Sequence, residues 1–233
     1  QIEESAKEIR SNVEKLQKTK AIVLSTKEWR EDDLLFSFLT EDFGRIQAIA
    51  TGSKKITSKL VGHLSTPGIV ELIFVQGKAQ KKITHAYLIK TFKLNEPDDF
   101  YFLNLAWEII DKAVLEETAY SEVWQLLSWL SINITNYQMF EQKRFIVNIF
   151  LIKLLNLLGF RINLEKQRKN FNIKTAQIIS QLQNGQVRPD FSISKNDNQA
   201  LFKFLQRYLQ YNLEQPFNSF KIAGTIDKSI KLV

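Results

Sequence analysis

Between Ala21 and Phe92 the apolar residues come in short runs or alternate with polar ones, the period of half-buried strands. Ala21–Thr26 is an apolar, β-branched run of strand length, and Leu34–Thr40 is a second, apolar-rich candidate that ends at Asp42-Phe43-Gly44. Arg45–Ala50 alternates so that Ile46, Ala48 and Ala50 share one face. Ile69–Val75, stopped by Gln76-Gly77, and Lys82–Phe92 complete five candidate strands. Five short strands in so little chain predict a small barrel of the OB type, which removes the exposed edges of an open sheet; an SH3-like barrel fits the same pattern. After Pro97 the period becomes helical: Leu103, Trp107, Ile110 and Val114 recur at three- and four-residue spacing, as do Tyr120, Val123, Leu127, Leu130 and Ile134. Asp98 is the predicted N-cap of the first of these helices. Glu141–Leu158 is apolar nearly all round and stops at Gly159, so it reads as the central buried helix. A polar connection over Arg161–Lys174, a short helix over Thr175–Gln183 and a long one over Asp197–Asn212 follow. Ile2, Ala6, Ile9, Val13 and Leu16 share one helical stripe, predicting an amphipathic helix before Lys18.

The architecture expected is therefore α+β in two domains: a helical extension over residues 1–20, the five-stranded barrel over 21–95 and an all-α domain over 96–233. Charge follows the same division. The whole chain of 233 residues carries a formal charge of +7, but between Gly44 and Lys93 Glu71 is the only acid, against Arg45, Lys54, Lys55, Lys59, Lys78, Lys81, Lys82, Lys90 and Lys93. From Leu94 to Gln142 the sign reverses, with Lys112 the only cation among many carboxylates. An anionic partner is expected on the barrel.

Several chemistries are missing. With no cysteine in the sequence, disulfides, thiolate zinc sites, iron–sulfur clusters and cysteine nucleophiles are excluded. No P-loop, dinucleotide fingerprint, nucleophile elbow, zincin or EF-hand spacing occurs. His63 and His85 have only Glu71 as a neighbouring acid in sequence, too few donors for a metal site, and Glu116-Glu117 reads as a solvated helix face. No cofactor and no enzymatic activity are expected. The apolar stretch Phe145–Phe160 is broken by Asn148, Lys153 and Asn156, short of a membrane span, and no secretion signal opens the chain, so a cytoplasmic protein is expected.

The chemistry present is concentrated after the third strand. Gly44–Lys59 runs as Gly-Arg-Ile-Gln-Ala-Ile-Ala-Thr-Gly-Ser-Lys-Lys-Ile-Thr-Ser-Lys, a basic, glycine-containing loop able to present side-chain cations and open backbone N–H groups to phosphates. The competing reading is a solvated loop with ordinary surface lysines.

From Ala21 onward the chain resembles the RecO family of bacterial recombination mediators. The resemblance is carried by Ala21-Ile22-Val23-Leu24 and the acidic Trp29-Arg30-Glu31-Asp32-Asp33, then by Phe38-Leu39-Thr40-Glu41-Asp42-Phe43-Gly44-Arg45, then by Ala50-Thr51-Gly52-Ser53-Lys54-Lys55 with Ser58-Lys59. In the second half Lys143-Arg144-Phe145, leading through Leu154-Leu155 to Leu158-Gly159-Phe160, looks like the family's central helix, and Tyr208-Leu209 with Leu213, Pro216 and Ser219 its closing segment. The resemblance implies an OB barrel joined to a helical domain. It also implies binding of single- and double-stranded DNA, annealing of complementary strands and assistance in loading RecA on strands coated by single-strand-binding protein, with RecR as a protein partner. Many members carry a four-cysteine zinc module after the central helix; Arg161–Pro189 has none, so no zinc role is carried over. The family's basic loop usually has lysine where Thr51 stands and another base near Thr57, so the DNA contact here leans on Lys78, Lys81 and Lys82 as well as Arg45, Lys54, Lys55 and Lys59. The family's helical domain receives the acidic, phenylalanine-ended tail of single-strand-binding protein. Lys143, Arg144 and Phe145, with Lys203 or Arg207 facing them, are the matching positions; the competing reading makes Phe145 core and Lys143 a surface charge.

These features predict nucleic-acid rearrangement without covalent chemistry, in which cations neutralise two strands so that they can pair. With few aromatics in the basic stretch beyond Phe74, Tyr87 and Phe92, phosphate contacts are expected to dominate. The alternatives are a protein–protein adaptor with a structural barrel, and a nuclease, which would need carboxylates clustered for metal ions.

Overall fold

The computed structural model describes residues 16–54, 59–77, 79–185 and 193–220. The predicted N-terminal helical stripe falls almost wholly outside them. The chain divides into two compact units: the described residues up to Phe92 together with Leu115–Ala119, and Lys93–Val114 together with Tyr120 onward.

The first unit is a closed barrel of β1 (Gln17–Glu28), β2 (Leu34–Thr40), β3 (Gly44–Ala50), β4 (Gly68–Gln76) and β5 (Lys81–Thr91) in the order β1-β2-β3-β5-β4. This is the OB arrangement. The barrel closes through a short parallel pairing of Ala48 with Lys81 and Ile49 with Lys82, every other pairing being antiparallel. Alternation decides the inner face: Phe36, Phe38, Ile46, Ala48, Val70, Leu72, Phe74 and Ile83 fill the interior, each large one contributing about 1.5–3 kcal/mol of burial.

Two parts of the barrel depart from expectation. β1 begins at Gln17, not Ala21, and residues Gln17–Ile22 pair with Phe74–Ile69 of β4. Lys18 and Lys20 point outward there while Thr19 and Ala21 are buried, an alternation too polar to read as a strand. The second departure is α1 (Lys59–Ser65), in a stretch that begins where the basic loop ends and for which the sequence pattern names no element. Its Leu64 belongs to the barrel core, and Leu60 packs against it.

The second unit contains α2 (Pro97–Ala113), α3 (Ser121–Asn133) with a 3-10 turn at Ile134–Asn136, α4 (Phe140–Leu157), α5 (Ile173–Gln183) and α6 (Lys195–Leu213). The N-cap of α2 is Glu96, not Asp98, because Pro97 takes the first helical position, where its missing N–H is harmless. Asp99 turns back, its Oδ2 accepting the N–H groups of Asn95 and Glu96 at 3.0 and 3.1 Å. α4 is the central helix, buried through Ile146–Ile152, Leu154 and Leu155, and Gly159 ends it in the left-handed region with φ +83°. Asn148, an interruption in the sequence, is buried and donates to Asn198 Oδ1 of α6 at 2.8 Å. α6 starts two residues earlier than predicted because Ser194 caps it, its hydroxyl accepting the Asp197 N–H at 3.1 Å. α5 likewise starts at Ile173, capped by Asn172, whose Oδ1 accepts the Thr175 N–H at 2.8 Å.

Candidate nucleic-acid interface

The start of the basic loop is held by the acidic turn between β1 and β2. Asp33 Oδ1 accepts the Gly52 N–H at 2.9 Å, the Asp32 carbonyl accepts the Lys54 N–H at 3.1 Å, and Lys54 Nζ lies 3.4 Å from Glu28. The Gly52 and Lys54 amides are therefore engaged by the β1–β2 turn and not open to phosphate, which corrects the expectation from sequence for these two groups. Sequence order separates the acidic and basic segments, but the β2–β3 hairpin brings their ends together, since Leu34 pairs with Ala50. Lys55 and Lys78 lie outside the described residues, and Lys59 opens α1.

Arg45 and Lys81 are engaged in the same way by the five-residue segment Leu115–Ala119. Arg45 lies 3.1 Å from Glu116, and Lys81 is paired with Glu117. The segment is fastened by backbone as well, since the Glu117 N–H donates to the Arg45 carbonyl at 2.9 Å. Gly44, at φ +69°, lets it come this close: a Cβ there would sit 1.9 Å from the Thr118 carbonyl oxygen. Glu116-Glu117 is solvated as expected, with side chains 45% and 65% exposed, but it lies outside any helix, and each carboxylate pairs with a barrel cation.

Lys82 and Lys90 of β5 differ. Both are exposed and neither has an ion pair among the described residues. Along β4–β5 the outward register places Val75 opposite Lys82, Ile73 opposite His85, Glu71 opposite Tyr87 and Ile69 opposite Lys90. The carboxylate that β4 itself contributes to this face, Glu71, is paired with Lys18 at 2.9 Å. Among the described residues, Lys82 and Lys90 are exposed cations of β5 without an ion pair.

In the helical unit, Lys143 is not a surface charge. Its Nζ lies 2.7 Å from Asp99 Oδ1, and both side chains are 1% exposed. Arg144 is 2% exposed, paired with Glu141 at 2.9 Å and set over the Phe140 ring with its guanidinium carbon 4.7 Å from the centroid. Phe145 is half-buried. Lys203 and Arg207 are exposed one turn apart on α6. The five positions thus split into three that build the helical core and two accessible cations. Among the described residues no group of three His, Cys, Asp or Glu side chains is placed to hold a metal ion.

Residues 15–92 match the family model described as "Recombination protein O N terminal". That span begins two residues before β1 and ends at the residue after β5. The barrel matches the N-terminal region of the RecO family. The chain is similar to the DNA repair protein RecO of Clostridium novyi, 28% identical over 151 residues covering 64% of this chain and 58% of that protein. A Dehalococcoides mccartyi protein of the same name is 37% identical over 117 residues, covering 47% of this chain and 44% of its own length. The RecO of Caldanaerobacter subterraneus is 24% identical over 206 residues, covering 88% and 83% respectively. The match to the first two relatives therefore covers about half of their length.

Lys90 was counted in the basic segment of the sequence without being singled out, and the structure places it exposed on the same strand as the exposed rings of Tyr87 and His85. The signal was present in the alternation of β5, but the irregular register blurred it. Bulges between Ile69 and Val70 and between Ile73 and Phe74 shift the pairing, so strict period two does not sort the strand's faces.

Proposed function

We propose that this chain is a DNA repair and recombination mediator. It binds single- and double-stranded DNA through the barrel, anneals complementary strands and assists RecA loading on strands coated by single-strand-binding protein, with no covalent step. The observation that carries the reading is the match of residues 15–92 to the RecO N-terminal family on a closed OB barrel whose β5 displays unpaired lysines. Relatives named DNA repair protein RecO support the same role. The mechanism is electrostatic: lysines displace condensed counterions from two strands, their mutual repulsion falls, and bases pair. Lys82 and Lys90 lead, and Lys55, Lys59 and Lys78 are proposed to add to them. Arg45, Lys54 and Lys81 contribute only when their carboxylate partners yield.

The two units divide the work in this proposal, with residues 21–95 as the DNA module and 96–233 as the partner module for RecR and for the acidic tail of single-strand-binding protein. Lys203 and Arg207 are the cations that reach the tail; Lys143, Arg144 and Phe145 fix the start of α4 behind them. A bacterial cytoplasmic, nucleoid-associated protein follows from the same reading. The test is fluorescence anisotropy of a labelled single-stranded oligonucleotide over a salt series, followed by an annealing assay. With about four to six phosphates contacted, the log–log slope is expected at roughly −3 to −4. Absence of binding at low salt would overturn the reading and leave the adaptor alternative, which the internal pairing of Arg45, Lys54 and Lys81 favours.

A further inference from the structure

We propose that the outer face of β4–β5 is a base-stacking platform for single-stranded nucleic acid, with the Tyr87 and His85 rings taking bases and Lys82 and Lys90 taking the flanking phosphates. The inference rests on the DNA-binding reading above and gives it a place on the barrel.

Four observations support it. Tyr87 and His85 stand two residues apart on the outward face of β5 with ring planes 10° apart and centroids separated by 6.2 Å. His63 of α1 extends the row, its centroid 6.0 Å from that of Tyr87 on a ring tilted by 52°. Its position is fixed by the backbone, since Nδ1 accepts the Leu88 N–H at 3.4 Å. Tyr87 is 51% exposed and the neighbouring Ile89 52%, so the platform faces water. The other two aromatics of this stretch, Phe74 and Phe92, are buried at 0% and 4% and cannot serve.

A single exposed aromatic on a protein surface needs no explanation. A row of three rings does, when unpaired lysines on the same strand flank it and the nearest carboxylate, Glu71, is neutralised by Lys18. Bases carry π-faces of every sequence, so such a surface binds single strands with little sequence preference, while cations hold the backbone. Lys82 and Lys90 stand about 25 Å apart along the strand, room for several nucleotides of single strand. A duplex keeps its bases stacked on one another and offers the face only phosphates, so the rings distinguish single from double strands where the lysines do not.

The test measures binding of the full chain to a labelled oligothymidylate of about 20 nucleotides, to an abasic strand of the same length and to a duplex. Tyr87→Ala is expected to weaken oligothymidylate binding about tenfold, with an unchanged salt slope, unchanged duplex and abasic binding, and loss of the preference for the base-bearing strand. Tyr87→Trp is expected to restore it. Lys82→Gln and Lys90→Gln are expected to weaken all three and to reduce the slope on the single strand by about 0.7 each. If the parent protein binds oligothymidylate and Tyr87→Ala binds it equally well, the platform is refuted and the DNA-binding reading stands. Equal losses on duplex and single strand also refute stacking. If the parent binds none of the three, the DNA-binding reading itself fails and takes the platform with it.

Discussion

Two sets of cations in this protein look alike in sequence and differ in what surrounds them. Arg45, Lys54 and Lys81 sit against Glu116, Glu28 and Glu117, and Lys143 is buried against Asp99. Lys82 and Lys90, on the same strand as Lys81, have no such partner among the described residues. Local charge density locates a basic segment; it does not say which charges are available. A hairpin and a five-residue return of the chain bring carboxylates onto three of the cations, and the pleat of β5 turns the others outward.

The largest effect that separates the two sets is on stability. Lys143→Ala leaves Asp99 buried without its partner and is expected to cost about 3–5 kcal/mol in urea denaturation, whereas Lys82→Gln is expected to change stability by less than about 0.5 kcal/mol. Lys143→Met combined with Asp99→Asn is expected to recover part of the loss, because the buried charge pair is removed while the side-chain carbonyl at 99 can still accept the Asn95 and Glu96 N–H groups.

Next is the strap that engages Arg45 and Lys81. Gly44→Ala places a Cβ against the Thr118 carbonyl at a φ of +69°, and is expected to lower stability by about 2 kcal/mol or more. If Gly44→Ala melts at the parent temperature, Leu115–Ala119 is not held on the barrel as described.

Glu108 tests pairing at the end of the described chain. Burial raises its carboxyl, and hydrogen bonds from Lys112, Ser219 and Asn218 outweigh that and hold it at about 2, against an ordinary value of 4.5. The Asn218 and Ser219 N–H groups donate to it at 2.7 and 2.8 Å. The stabilisation is complete above pH 4.5 and is lost as pH falls through the folded value near 2. Glu108→Ala is expected to cost about 1–3 kcal/mol at neutral pH and to flatten the stability profile across that acid range. Among the paired groups the smallest effect is that of Lys54→Gln, whose exposed ion pair with Glu28 is worth about 1 kcal/mol or less.

The legible parts of the structure were those where one physical signal dominates. Leu34–Thr40 is apolar enough, and closed sharply enough by Asp42-Phe43-Gly44, to mark its own ends, and α4 is defined by an apolar run closed by Gly159. α1 was hidden because its two barrel contacts, Leu60 and Leu64, are too few to set a period in a basic stretch. The candidate site was half legible. The basic segment was visible, but its availability depends on Asp33, Glu116 and Glu117, which reach it only through tertiary structure. The Lys143–Asp99 pair was illegible for the same reason, joining positions 44 residues apart on two helices.

The most direct test of the contrast between engaged and available cations compares salt slopes for single-stranded oligonucleotide binding in two double variants, Lys82→Gln/Lys90→Gln and Arg45→Gln/Lys54→Gln. The first is expected to flatten the slope by about 1.4 and the second to leave it nearly unchanged. A slope that flattens in the second variant and persists in the first would contradict the account and return the DNA contact to the loop after β3.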